Sequence, residues 1–157
     1  MANSQALEGF EEVFTVTDYY DGSRQGIASL NGHPHYYECV FSDTANDYIN
    51  LYQLTPVDQD LFLLAMEDWA IWKRWEEAFH TGKADLESHP ALPENRERHL
   101  CLKSILDERL RINPDSSLMR SAAFSNASSS QPPAGILVEM VVRWSEPDDT
   151  AIRIWAD

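Results

Sequence analysis

Asn31-Gly32 stands between two runs of strand-forming residues, 26–30 and 33–41, and no other dipeptide limits the fold of this chain as tightly. Both residues tolerate the positive φ of a two-residue type I′ turn, so the flanking runs are expected to pair as an antiparallel hairpin. That turn sets the register, with Leu30 opposite His33 and Ala28 opposite His35. One face then carries Ala28, Leu30, His33, His35, Tyr37, Cys39 and Phe41, and the other Ile27, Ser29, Pro34, Tyr36, Glu38 and Val40. Neither face is cleanly polar. The sheet is therefore expected to be covered on much of both sides, as in a barrel or a helix-covered sheet.

Further strands are expected at 10–20, ending in Asp21-Gly22-Ser23, and at 47–54. The period then changes from two to 3.6. Thr55 can cap a helix, Pro56 suits its first position, and Asp58 faces the positive end of the dipole. The predicted helix runs to His80, with Leu61, Leu64, Ala65, Trp72, Trp75 and Phe79 in one stripe, and Thr81-Gly82-Lys83 ends it. A second helix is expected over 94–112, stopped by Asn113-Pro114. Strands at 118–124, 136–144 and 151–155 complete the reading, with a flexible polar loop over 126–134.

Strands, two helices, then strands make an α+β chain rather than an alternating βαβ one. The expected architecture is an antiparallel sheet or small, partly open barrel of six or seven strands, with a two-helix insertion packed on it, in a single domain spanning 1–157. A chain of 157 residues can bury a core of its own without disulfides or metals.

The charge is less ordinary. Twenty-six acidic side chains face twelve basic ones, a net of −14, which excludes the electrostatic footprint of a nucleic-acid or anionic-membrane binder. Half of that excess falls in residues 1–56, which hold eight acids and one base, Arg24. No run approaches the ~18–20 apolar residues that span a bilayer, and the first residues lack the basic start and apolar run of a signal peptide. Cys39 and Cys101 are too few for a disulfide framework. A cytoplasmic protein with reduced thiols is expected.

The string from Asp18 to Ala28, then Gly32-His33-Pro34-His35-Tyr36-Tyr37-Glu38, the run Met66-Glu67-Asp68-Trp69 with Trp72, Trp75 and Glu76, and His89-Pro90-Ala91-Leu92-Pro93 together resemble small uncharacterised bacterial proteins over about residues 10–112. The resemblance implies a bacterial, cytosolic single domain. It implies no activity, cofactor or catalytic residue.

Among single residues, Asp68 is the most anomalous, because the wheel puts it inside the apolar stripe. A buried carboxylate needs a donor, so Asp68 is expected to be a structural anchor between helix and sheet. His33 and His35 share a face and are weak metal candidates, since Glu38 points the other way and no third ligand is evident. Tryptophans 69, 72 and 75 at helical spacing are expected in the core. Gly-x-Ser-x-Gly, Gly-rich phosphate loops, His-Glu-x-x-His and Cys-x-x-Cys are all missing from the sequence.

These features lead to a non-enzymatic binding or regulatory protein without a cofactor, its partner a basic protein, with an immunity- or antitoxin-like role as one concrete version. The expected binding residues are Tyr19, Asp21, Arg24, His33, His35 and Tyr37, which mix aromatic and charged groups near strand ends. The alternative is a small metal-dependent hydrolase using His33 and His35 with Asp68. Mimicry of DNA by aligned carboxylates is a third, weaker reading.

Overall fold

The computed structural model describes residues 9–17, 24–126 and 140–156. Within them, six strands and three helices follow one another as β1 (Glu11–Thr17), β2 (Gln25–Leu30), β3 (His33–Ser42), β4 (Asp47–Pro56), α1 (Gln59–His80), α2 (Arg96–Arg109), β5 (Leu118–Asn126), β6 (Met140–Ser145) and α3 (Asp149–Ala156). The chain divides into two compact units. One holds the strands and α3, and the other holds α1 and α2.

The Asn31-Gly32 hairpin forms in the expected register. Asn31 and Gly32 have φ of 54° and 83°, Leu30 pairs with His33, and Ala28 with His35. Both faces of β2 are buried from Gly26 to Leu30. The cover is a closed antiparallel barrel in sequence order, not the partly open one expected. Closure comes from Glu11 and Glu12, which pair with Val142 and Val141 and return β1 to β6.

The barrel interior is filled by rings. Tyr37, Tyr52, Phe124 and Trp144 lie with every pair of centroids 5.7–6.0 Å apart. That is direct ring-on-ring contact. Ala28, Leu30, Leu54 and Val142 complete this core. Gly26 makes room for it: a β-carbon there would collide with the Thr15 carbonyl and sit 2.9 Å from the Tyr37 hydroxyl. The indole of Trp144 also donates to the Ser29 carbonyl at 2.9 Å.

The last predicted strand, 151–155, is instead helix α3. The Asp148 carboxylate accepts from Thr150 N at 2.9 Å, and the Asp148 carbonyl accepts from Ile152 N. This cap starts a helix where an apolar run alone suggested a strand. Ala151 and Ile154 pack on the outer-face residues Ile49, Leu51, Val40 and Met119.

In the helical unit, Asp58 caps α1, its carboxylate accepting from Leu61 N at 2.8 Å. Thr55 and Pro56, expected to start the helix, end β4 instead. Ile71, Ala91 and Leu102 form the buried core between the helices, with Leu64 against it. Trp75 is buried, stacks on Phe79 and donates to Ser88 Oγ at 2.8 Å. No helix of the described residues is long and apolar enough to cross a membrane.

Candidate functional site

β3 and β4 are the two longest strands of the described residues. The last described rung from β3 to β2 is Glu38↔Gln25, followed by a Cys39 N–Arg24 O hydrogen bond at 2.7 Å, and the last from β4 to β5 is Tyr52↔Arg120, after which β5 pairs with β6. Beyond these, Phe41 pairs with Tyr48 and Ser42 with Asp47. A register shift separates the Phe41↔Tyr48 pair from the Cys39↔Tyr52 rung, and past it Phe41 and Tyr48 are turned to solvent. They are 47% and 42% exposed and meet edge to face, with centroids 5.2 Å apart.

The connection between the strands is held by its own polar groups. Ser42 Oγ accepts from Ala45 N at 3.1 Å, and the Asp47 carboxylate accepts from Tyr48 N at 2.7 Å. Asn46 takes the left-handed conformation, φ 54°, which asparagine tolerates better than most residues. The Arg24 guanidinium lies over the Tyr48 ring, 3.8 Å from its centroid, a cation–π contact. Asp43 and Asp47 are exposed beside this tip.

Behind the tip sits Cys39, half-buried, its thiol donating to the Ile49 carbonyl at 3.1 Å. Burial pushes the thiol up from its ordinary range, against the lowering effect of the Tyr52 hydroxyl and the Arg24 cation. Burial likewise pushes the Tyr52 phenol up, and Cys39 beside it adds to the shift.

Of the binding residues expected from sequence, the described ones do not meet at one place. Tyr19 and Asp21 lie outside the described residues. Arg24 precedes β2, whereas His33 follows it; six residues at ~3.3 Å each separate them by about 20 Å. Tyr37 is fully buried in the barrel core, so its ring meets other rings, not a partner. His35 is buried too, and its Nδ1 donates to the His33 carbonyl at 2.8 Å. Only His33 of that pair is exposed. Among the described residues, no three His, Cys, Asp or Glu side chains are grouped to hold a metal ion.

Asp68 finds one of the donors expected for it, but on a helix and not on the sheet. His99 Nδ1 of α2 lies 2.6 Å from Asp68 Oδ1, with the side chains 12% and 22% exposed. Beside them, Arg98 makes a two-pronged bond to Glu67 at 2.6 and 2.8 Å. That guanidinium holds the Glu67 carboxyl below the usual carboxylate range. The acid that is truly buried on α1 is Glu76: Oε1 faces His80 Nε2 at 3.3 Å, and Oε2 has no hydrogen-bond partner. Sequence reasoning passed over it, although the helical wheel sets it next to Ala65. Near the end of α1, a shallow cavity of about 370 Å³ is lined by Lys83, Asp85, Ser88, Leu92 and Pro93.

Glu11 was also missed. Its carboxylate accepts from Ser29 Oγ (2.8 Å), Asn31 N (3.1 Å) and Gly32 N (3.0 Å). It thus occupies the anion-binding nest that the two left-handed turn residues create. A lone glutamate at the start of a strand gives no local sign of such a role.

Comparison with protein-family models, curated proteins and solved structures returns no match to this chain.

Proposed function

We propose that this chain is a protein-binding or regulatory protein of a bacterial cytosol, and that its barrel unit engages a basic partner protein. The observation that carries the reading is the distribution of charge along the sequence. The stretches 1–57, 112–127 and 139–157, from which the barrel unit is drawn, hold fourteen of the 26 acidic residues and four of the twelve basic ones, a net of −10, whereas the rest of the chain is −4. Three of the barrel's four cations are engaged by the chain itself. Arg24 lies on Tyr48, Arg143 on Phe10, and Arg120 donates to the Met119 carbonyl. Such a field favours encounter with a cationic surface. The interior is filled by rings, so the outer surface of the barrel is what it offers a partner. A protein that neutralises a basic toxin or enzyme, in the manner of an immunity protein or antitoxin, is the concrete form of this reading.

Affinity capture from native lysate at low and moderate salt tests it. The expected result is a stoichiometric basic protein retained at low salt and released as salt rises. Capture of an acidic protein alone, or of nothing at either salt, would overturn the reading.

A further inference from the structure

We propose that the tip of the β3–β4 pair is the surface that takes this basic partner, with Phe41 and Tyr48 as its aromatic anchor and Asp43 and Asp47 as its acidic rim. The inference rests on the reading above that the partner is a basic protein. It adds where the partner sits and which groups hold it.

Phe41 and Tyr48 pair with each other beyond the Cys39↔Tyr52 rung, whose side chains pack in the barrel core, and a register shift separates the two pairs. Beyond that shift the two rings are 47% and 42% exposed. Large core-type side chains are thus carried beyond the core and shown to solvent. Aromatic residues of this kind, ringed by polar groups, supply most of the energy of many protein interfaces.

The tip is also held in shape before any partner arrives. The Ser42–Ala45 and Asp47–Tyr48 hydrogen bonds set the turn, and Arg24 braces the Tyr48 ring. Little further ordering is needed on binding, which lowers the entropic cost of association.

Charge then selects the occupant. A lysine or arginine can lay its alkyl stem on the Phe41 and Tyr48 rings while its cation meets a rim carboxylate. An acidic partner would meet Asp43 and Asp47 with like charge. The partner segment is therefore one with basic residues interleaved with apolar ones.

A photo-crosslinking residue placed at position 41 of the full chain, with a second copy of the chain carrying it at position 86, tests this in native lysate. Leu86 is the more exposed apolar side chain, yet it belongs to the helical unit. The expected result is a basic protein crosslinked from 41 and not from 86. With that protein purified, Phe41→Ser/Tyr48→Ser should weaken binding at least about 30-fold, whereas Trp155→Ser should leave it within about twofold. Asp43→Asn/Asp47→Asn keeps the hydrogen-bonding oxygens of the turn, so it tests the rim without disturbing the fold. It should weaken binding about tenfold at low salt and flatten its salt dependence.

Full binding by either double variant would overturn the tip as the docking surface while leaving the basic-partner reading in place. A basic protein crosslinked from 86 and not from 41 would likewise overturn the tip alone, whereas crosslinks only to acidic proteins, or to no protein from either position, would overturn both. Denaturation midpoints of the variants, matched to wild type, separate lost binding from lost folding.

Discussion

The indole nitrogen of Trp144 on β6 donates to the main-chain carbonyl of Ser29 on β2 at 2.9 Å, a bond that crosses over β1. It lies beside the closing pair of strands, where β1 and β6 share the rungs at Glu11 and Glu12 among the described residues. Trp144 also forms one corner of the four-ring core. Trp144→Phe keeps a ring but removes the bond and part of the volume. Urea denaturation should show a loss of about 1–3 kcal/mol, and an unchanged midpoint would mean that closure does not depend on this residue.

Glu11 serves the same closure from the opposite side of Ser29. Glu11→Gln removes the charge but can keep part of the geometry, whereas Glu11→Ala leaves Asn31 N and Gly32 N without their acceptor. The alanine variant should lose about 1–2 kcal/mol. Hydrogen exchange at the Asn31 and Gly32 amides should accelerate in it more than at the centre of β3.

Tyr37 and Tyr52 make alkaline pH informative. Burial pushes both phenols up from their ordinary value, so the unfolded chain releases these protons first as pH rises. Stability from this source is complete below about pH 10 and falls above it, by up to about 1.4 kcal/mol per pH unit for each group. Absorbance at the tyrosinate band should gain two of the six tyrosine equivalents only as the fold is lost. The Tyr37 hydroxyl is buried and unpartnered, so Tyr37→Phe should not destabilise the protein and should raise its midpoint. A fall would show that the hydroxyl has a use.

The two thiols should separate kinetically. Cys101 is exposed, whereas Cys39 is half-buried with its thiol pushed up. Because the thiolate is the reactive form, a disulfide reagent at pH 8 should label one thiol quickly and the other slowly. Cys101→Ser should remove the fast phase alone, and two equal rates would contradict the placement of Cys39.

Asp68 and His99 should couple. In a double-mutant cycle with Asp68→Ala and His99→Ala, the interaction energy should fall between about 0.5 and 3 kcal/mol. A value near zero would make the 2.6 Å contact energetically idle.

The hairpin was the most legible part of the fold, because Asn-Gly dictates local backbone geometry that no distant contact needs to confirm. The breadth of burial on β2 followed from it. Helix α1 was legible for the same reason, since its period is local, but its start was misplaced when Thr55 proved to belong to β4 and Asp58 took the cap. At α3, four apolar residues within Ala151–Trp155 read as a short strand, and only the Asp148 cap decided between periods. The anomaly at Asp68 was visible, yet its partner was not. That partner, His99, is 31 positions away and is fixed by how two helices pair. The aromatic tip was hidden differently: Phe41 and Tyr48 are good strand residues wherever they occur. Their exposure depends on the register shift that follows Cys39 and on β5 leaving β4 for β6, neither of which is a local property of β3 or β4.

Before the helical pair, β4 pairs with β5 at Leu54↔Leu118, and Asn113 N is bonded to Thr55 Oγ1 at 2.9 Å. The chain therefore leaves the barrel and re-enters it at nearly the same spot. Topologically, α1 and α2 are spliced into what would otherwise be an ordinary hairpin loop, and the strand path is already joined without them. Lengthening a loop whose two ends stay together costs little in closure entropy. That doorway lets the helical segment drift in length and composition while the six-strand ring keeps its register.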